Sequence, residues 1–177
     1  MSRFIGIDYS TTSTGVAIVD GEHWQVFRLR SSSTPGASLL DYYDRILGLS
    51  RDITAAIDFQ PGDRIGIEGI AFAGRGSSVD RLHYAWHRTV EYVARTATEP
   101  VIVTTNQVKQ LATGKGSADK DQVLLATERR IPQARVGGND EADAAWVAVG
   151  VSILAGSPVI DLPAAHLPKA WTKGKTA

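Results

Sequence analysis

Two periodicities divide the chain into predicted strands and helices. Short runs dense in apolar residues predict five strands. These runs cover residues 4–7, 15–19, 24–29, 64–68 and 101–104. Asp20 and Gly21 join the second and third runs, and this pair favours a tight hairpin turn. The chain is therefore expected to open with an antiparallel meander.

Apolar residues at helical spacing predict four helices around these strands. They cover residues 39–57, 79–97, 118–130 and 139–156. Ser117 is the expected cap of the third helix and Asn139 that of the fourth. Residues 69–78 and 106–116 are polar and contain glycine, so both segments are predicted to be loops.

Composition bounds the class of protein. The 177 residues suffice for one domain with a full core, expected over residues 1–158, followed by an irregular basic tail over residues 159–177. Lys plus Arg equals Asp plus Glu, at 19 each, so net charge neither favours nor excludes a polyanionic partner. The absence of cysteine excludes disulfide bonds and thiolate metal sites. Apolar runs stay below membrane-spanning length and a strand begins at once, which predicts a soluble, cytoplasmic protein without a membrane partner.

Two of the predicted strands end in an acidic residue. Asp8 closes the first run, where an unpaired carboxylate against a sheet core is costly. Asp8 could instead start a turn, because Asp, Ser and Thr form local bonds to the backbone. Glu68 closes the fourth run and has no such role, since Glu is depleted from strands.

The last predicted helix begins with two more acids. Asp140 and Asp143 are three residues apart and share one helical face, which continues into the apolar stripe expected to pack on the sheet. Asp140 is also a residue that a helix N-terminus prefers for electrostatic reasons. Asp143 lies where that benefit fades, so its place on an apolar face indicates a functional role.

These four carboxylates have reason to converge at one edge of the sheet. Like charges brought together repel, so the group requires a cation or a bound proton. Oxygen ligands without sulfur favour Mg²⁺ or Mn²⁺ over zinc. Two such ions would hold the attacking and leaving oxygens of a phosphodiester in line.

The order of the predicted elements resembles that of the ribonuclease H-like nuclease fold, an α/β fold whose central mixed five-stranded sheet is flanked by helices. More narrowly, residues 3–155 resemble the RuvC family of Holliday junction resolvases. The motifs that carry the resemblance are Gly6-Ile7-Asp8 with Thr14-Gly15, Ile67-Glu68, Val108-Lys109-Gln110, the run from Gly114 to Val123, and Asp140-Glu141-Ala142-Asp143-Ala144. The run over 114–123 is the most specific, because a glycine loop before a capped helix with an early lysine is uncommon by chance.

The resemblance implies roles for the acidic residues and one lysine. Asp8, Glu68, Asp140 and Asp143 match the family's metal-binding catalytic carboxylates, with Mg²⁺ as the ion and Mn²⁺ able to substitute. Lys120 matches a catalytic lysine near the scissile phosphate, where a cation offsets charge that develops in the transition state.

The residues predicted to bind DNA are Lys109, Lys115, Lys120, Arg75 and Phe72. Lys109 matches a phosphate-contacting lysine of the family. On the residues alone, such lysines are more often solvated surface charges, but their clustering in a glycine-containing segment favours phosphate contact. Phe72 lies one residue from the place of an aromatic that wedges into base stacking, and it could instead be a packing residue of the loop.

The implied function is metal-dependent hydrolysis of phosphodiester bonds in four-way junctions and other branched DNA. A C₂ homodimer would make paired nicks, leaving a 5′ phosphate and a 3′ hydroxyl. Tyr84 and Tyr92 mark the second predicted helix as an interface candidate, although half-exposed tyrosines are common. Tyr9-Ser10 follows Asp8 where cellular members often have Pro-Gly, and the divergent loops resemble bacteriophage-encoded versions.

Three other functions are compatible with parts of the pattern. An ATP-binding module of the actin-like kinase superfamily shares the motif of the first strand, but it needs two lobes and this chain has room for about one. A non-catalytic junction-binding protein would keep the lysines and lose a carboxylate. An RNA-processing nuclease of the same fold differs in sugar contacts that the residues alone do not specify.

Overall fold

The structure, a computed structural model, describes residues 2–70 and 77–172. Within these ranges the strands are β1 (Phe4–Asp8), β2 (Ser13–Asp20), β3 (His23–Arg30), β4 (Arg64–Gly69) and β5 (Val101–Thr104). The helices are α1 (Leu39–Ile57), α2 (Ser77–Thr96), α3 (Thr105–Thr113), α4 (Lys120–Arg130), α5 (Asn139–Leu154) and α6 (Lys169–Thr172). No helix in the described ranges is both long and apolar enough to cross a membrane.

The strands form one mixed sheet in the order β3-β2-β1-β4-β5. The β1–β2 and β2–β3 pairs are antiparallel, as expected of a hairpin meander. The β1–β4 and β4–β5 pairs are parallel, because α1 and α2 return the chain to the same end of the sheet before each new strand. The predicted α/β architecture with a mixed five-stranded sheet is confirmed.

Side-chain alternation along β1 gives the sheet two different faces. Ile5 and Ile7 are buried with the apolar residues of α1 and α2 on one face. Phe4 packs with α5 on the other face, and Gly6 contacts the same helix. Asp8 has the parity of Phe4 and Gly6, so it points to the α5 side.

Two glycines allow α5 to lie directly on the strands. A Cβ atom on Gly6 would lie 2.1 Å from the carbonyl oxygen of Ala144, and one on Gly15 would lie 2.0 Å from the carbonyl oxygen of Asp140. Both distances are too short for any side chain, so this contact requires glycine on β1 and on β2. The acid-bearing end of α5 is thereby held against the first two strands.

Residues 105–113 form helix α3, so the prediction of a loop over residues 106–116 is wrong for most of that segment. Thr104 and Gln107 form a capping box that starts the helix. Val108 and Leu111 are buried in the core and offset the weak helix propensity of the polar residues around them. Gly114, with φ of 80°, ends the helix.

The caps of the last two long helices also differ from the expectation. Asp119 caps α4 through a reciprocal bond set with Gln122, and Ser117 lies outside the helix. Gly138 precedes α5 without a side-chain cap, and Asn139 is the first helical residue. Both differences shift a helix start by one or two residues, which is the usual uncertainty of a boundary read from sequence.

Residues 159–172, here called the C-terminal strap, pack against the body of the protein. The amide of Gln110 donates to the carbonyl of Leu167 at 3.1 Å, which ties the strap to α3. Trp171 packs over Gly150 of α5, with a ring atom 3.1 Å from where a Cβ would stand. The division of the chain at residue 158 stays a prediction, and residues 173–177 lie outside the described ranges.

Candidate active site

Two adjacent parallel strands bring Asp8 and Glu68 together. In the β1–β4 register Ile7 pairs with Ile67, so the next residue of each strand is an acid at the same level of the sheet. Glu68 is two residues beyond Gly66, against which Val147 and Val151 of α5 pack, so both acids face α5.

Asp143 lies close to Asp8 and Glu68 and belongs to α5, the helix that packs on this face of the sheet. Val147 packs on Gly6, with its Cβ 3.1 Å from where a glycine Cβ would stand. Asp143 is one turn earlier on that face of α5, so it lies over the end of β1. One carboxylate oxygen from each of Asp8, Glu68 and Asp143 lies within 4.8 Å of the other two.

Asp140 lies beside this triad and is not part of it. Its Oδ2 accepts a 2.5 Å hydrogen bond from the Ser13 hydroxyl on β2. Its charge still reaches the triad, because it contributes to the raised pKa of both Asp8 and Asp143. The neighbouring Glu141 has a different role, since it accepts the backbone N–H of Gly137 and steadies the loop before α5.

The cluster is electrostatically unfavourable without a cation. Burial, then a hydrogen bond with Glu68 and repulsion from it, raises the pKa of Asp8 well above its usual range. Burial and the charge of Glu68 also raise the pKa of Asp143, to about 7. A cation among these oxygens would remove the repulsion and let all three carboxyls ionise.

Neighbouring groups hold the acids in position. The indole N–H of Trp86 on α2 donates to the backbone carbonyl of Glu68 at 2.8 Å and fixes the end of β4. The hydroxyl of Thr14, which is fully buried, donates to the carbonyl of Ser10 at 2.8 Å and closes the turn after Asp8. These bonds fix the backbone at Glu68 and in the turn after Asp8.

The donor set fits a hard divalent ion. The triad offers only carboxylate oxygens, half-buried at Asp8 and Asp143 and buried at Glu68. The whole chain contains no cysteine, so a thiolate site for a softer metal is not available. Three anionic oxygens in one partly desolvated recess can hold a metal ion.

Lysines of α3 and α4 face the acids. The positive charges of Lys120 and Lys109 both lower the pKa of Asp143, and that of Lys120 has the larger effect. Lys115 lies farther along, in a groove between the two helices. The two remaining residues expected to contact DNA, Phe72 and Arg75, lie outside the described residues.

Sequence reasoning missed Ser13 and Trp86. Ser13 belongs to a run of hydroxyl residues over 10–14, any of which could have approached an acid. The sequence does not show which of them does so. Ser13 is the partner of Asp140 because α5 packs directly on Gly15, two residues further along β2. Trp86 lies in the apolar pattern that predicts the second helix, and that pattern does not indicate which acceptor its indole N–H reaches.

The mixed sheet, with acids at the ends of β1 and β4 and on the helix that crosses them, defines a protein of the ribonuclease H-like class. Two solved structures share this fold. T. thermophilus RuvC in complex with Holliday junction substrate superposes with a TM-score of 0.64 at 18% identity, covering 89% of this chain and 98% of that chain. The Thermus thermophilus RuvC structure gives a TM-score of 0.62 at 16% identity, covering 87% and 96%.

The sequence comparisons narrow the class to one family. The family model "Crossover junction endodeoxyribonuclease RuvC" matches residues 4–151, so the chain belongs to the RuvC family. RuvC of Wolbachia sp. subsp. Brugia malayi is 30% identical over 152 residues, which are 84% of this chain and 93% of that protein. RuvC of Parvibaculum lavamentivorans is 24% identical over 146 residues, covering 82% and 83%.

Proposed function

We propose that this chain resolves four-way DNA junctions, and other branched DNA, by metal-dependent hydrolysis of phosphodiester bonds. One observation carries the proposal: a chain of the RuvC family of crossover junction endodeoxyribonucleases holds three carboxylates within 4.8 Å of one another at the sheet edge. The reaction takes place in the cytoplasm, or in the host cytoplasm if a bacteriophage encodes the chain.

Asp8, Glu68 and Asp143 would hold Mg²⁺, with Asp140 completing the acidic site and Mn²⁺ able to substitute. When bound, such an ion supplies an activated water and stabilises charge on the phosphoryl oxygens. The raised pKa of Asp143, about 7, supports this assignment, because an acid that its neighbours keep partly protonated at neutral pH becomes a good ligand once a cation offsets their charge.

The side chains of α3 and α4 act on the DNA phosphate. Lys120 lies at the first position of α4, with its charge directed toward Asp143. There it would neutralise charge that develops on the phosphate in the transition state. Lys109 would orient the strand through a neighbouring phosphate, and Lys115 would extend that contact.

Two sites are needed to cut two opposed strands, so we assign the active form to a C₂ homodimer. Each nick would leave a 5′ phosphate and a 3′ hydroxyl. The α1 and α2 surface supports an interface, because Tyr84 is 40% exposed and its ring centroid lies 4.6 Å from that of Tyr43. Leu39 and Leu40 beside them are 51% and 68% exposed, which makes this surface unusually apolar.

The alternative functions have less support. An actin-like ATP-binding module places nucleotide between two lobes, whereas the described residues form one sheet with helices on its faces. A non-catalytic binder would not need to keep the carboxylate triad, whose mutual repulsion is costly without a cation.

The test compares labelled four-way junction, linear duplex and RNA–DNA hybrid, each with Mg²⁺, Mn²⁺ or EDTA. Paired symmetric nicks in the junction are expected with either metal and not with EDTA. Glu68→Gln should lower the rate at least about 100-fold, the scale for losing one electrostatic group of an active site. Glu99→Gln makes the same chemical change at an exposed position and should leave the rate unchanged. Cleavage of the hybrid alone would instead assign the protein to RNA processing.

A further inference from the structure

A groove runs along α4, on the side that faces α3 and beyond the carboxylate cluster. Its volume is ≈ 410 Å³. Lys115 stands on the wall near α3, and Arg129 and Arg130 stand at the far end of α4. The apolar part of the lining is formed by Ala112, Leu125 and Ala126.

The three basic residues of this groove lack acidic partners. Among the described residues, none of Lys115, Arg129 and Arg130 forms a salt bridge, and no acidic residue lines the groove. A helix C-terminus favours cations, which accounts for arginines in the last turn of α4. It does not account for Lys115 on the opposite wall. Three uncompensated cations around one recess require an anionic occupant or remain solvated.

The strap positions one of these arginines. His166 is 7% exposed, and its Nδ1 lies 2.7 Å from the carbonyl oxygen of Leu111 on α3. A carbonyl can only accept, so Nδ1 donates and Nε2 is left as an acceptor. The Arg130 guanidinium lies 3.4 Å from that Nε2. A buried side chain of the strap therefore fixes a cation of the groove, which a freely solvated surface arginine would lack.

We infer that this groove binds the sugar-phosphate backbone of one arm of the DNA substrate, at a distance from the cleaved bond, and that His166 is a positioning residue for Arg130. The inference rests on the proposed function. It adds a contact site that lies partly outside the family match, because that match ends at residue 151 and His166 belongs to the strap.

The positive charge and the apolar floor of the groove favour DNA as its ligand. Arginine binds phosphate through paired N–H groups, and the apolar floor suits the faces of deoxyribose sugars. Lys120 and Arg129 are the first and tenth residues of α4, so about 14 Å of helix separates them. Nine residues are also about two and a half turns, so the two side chains leave opposite sides of α4. The groove therefore contacts the arm away from the cleaved phosphate, on another side of the helix.

The salt dependence of junction binding tests this inference. Fluorescence anisotropy over a KCl series, with Mg²⁺ and in a Glu68→Gln background that keeps the strands intact, gives the slope of log Kd against log [KCl]. Arg129→Gln with Arg130→Gln should reduce that slope by about 1 to 2, because each lost phosphate contact reduces counterion release by about one. Arg51→Gln with Arg64→Gln removes two exposed charges elsewhere and should leave the slope unchanged.

A neutral methylphosphonate in the junction locates the contact. Placed in turn at successive phosphates of one arm, it should at one or more positions weaken binding by the protein with intact arginines and have no further effect on the double-arginine variant. An equal effect in both proteins at every position would overturn the proposed contact.

His166→Gln tests the positioning role. The salt slope should fall to that of the Arg130→Gln variant, and combining the two changes should add nothing further. A lower melting temperature with an unchanged slope would reduce His166 to a structural residue and overturn this part of the inference.

The two proposals fail in different ways. Junctions that are cut and bound by the double-arginine variant with an unaltered slope would overturn the groove as a DNA site and leave the nuclease function intact. A wild-type protein that neither binds nor cuts junctions would overturn the proposed function itself.

Discussion

At the scale of single residues, Asp143 contributes to the way stability depends on pH. Its pKa is raised from an ordinary 3.8 to about 7, chiefly by burial and by the charge of Glu68. The folded protein therefore holds this proton more tightly than the unfolded chain does. The resulting stability is fully present below about pH 4 and is lost as pH rises through about 7.

The expected result in EDTA is that the free energy of unfolding falls between pH 5 and pH 8, and falls less in Asp143→Asn. At pH 8 the variant should be more stable than wild type by roughly 2 kcal/mol, because it no longer carries a charge beside Glu68. Urea denaturation at the two pH values measures this. Adding Mg²⁺ at pH 8 should stabilise wild type and do little for the variant; the same gain in both would contradict the ligand assignment.

Ser13 acts through Asp140. Ser13→Ala removes the 2.5 Å hydrogen bond that fixes this carboxylate, so we expect activity to fall roughly 10- to 100-fold, with a loss of stability near 1 kcal/mol. Single-turnover cleavage and thermal unfolding measure the two effects. Ser10→Ala is the matched control, because among the described residues the Ser10 hydroxyl bonds only within its own turn, to Thr12 at 3.3 to 3.4 Å. Equal losses in both variants would show that the turn as a whole matters, and not this bond.

At the scale of elements, the contact between β1 and α5 determines where the acids lie. Gly6→Ala would force a Cβ to within 2.1 Å of the Ala144 carbonyl, so we expect a loss of roughly 3 kcal/mol or more in the free energy of unfolding, together with activity. Gly48→Ala should instead raise the free energy of unfolding. Outside the backbone of α1 itself, no atom of the described residues lies within 4 Å of a Cβ at Gly48, which is inside that helix, so alanine should stabilise the helix by up to about 1 kcal/mol. Denaturant unfolding of the Gly6→Ala and Gly48→Ala variants measures both effects. If replacing any glycine destabilised the protein, both variants would be less stable than wild type.

The elements also show which features a sequence can predict. The strands and the acids at their ends were predictable from two signals. Short apolar runs indicate buried strands, and a carboxylate at the end of such a run, as at Asp8 and Glu68, is unusual enough to indicate a site. Helix α3 was not predicted, because it has only nine residues and most of them are polar. Its stability comes from a capping box and from the packing of Val108 and Leu111 in the core. The proximity of Lys109 to Asp143 depends on that helix. Here the family resemblance supplied an assignment that residue patterns alone could not.

At the scale of the whole molecule, the described part of the chain contains one carboxylate cluster, which limits what one protomer can do. One cluster can cut one strand in each encounter, whereas resolving a junction needs cuts in two opposed strands before the DNA dissociates. The exposed aromatic surface on α1 and α2 offers the contact that would link two clusters. Tyr84, 40% exposed, packs against Tyr43 and is the more exposed of the two tyrosines.

Tyr84→Arg is therefore expected to separate dimer formation from chemistry. Light scattering should give wild type about twice the 19.0 kDa of one chain, and the variant 19.0 kDa. On a supercoiled plasmid with an extruded cruciform, wild type should make linear DNA, since both nicks fall within one binding event. The variant should make nicked circles, because its cluster is intact and its cuts are unpaired.

Leu154→Arg, at a site 43% exposed on the end of α5, should remain dimeric and linearise the plasmid. Linear product from a monomeric Tyr84 variant would show that pairing does not depend on the dimer, and a dimeric variant would move the interface away from α2.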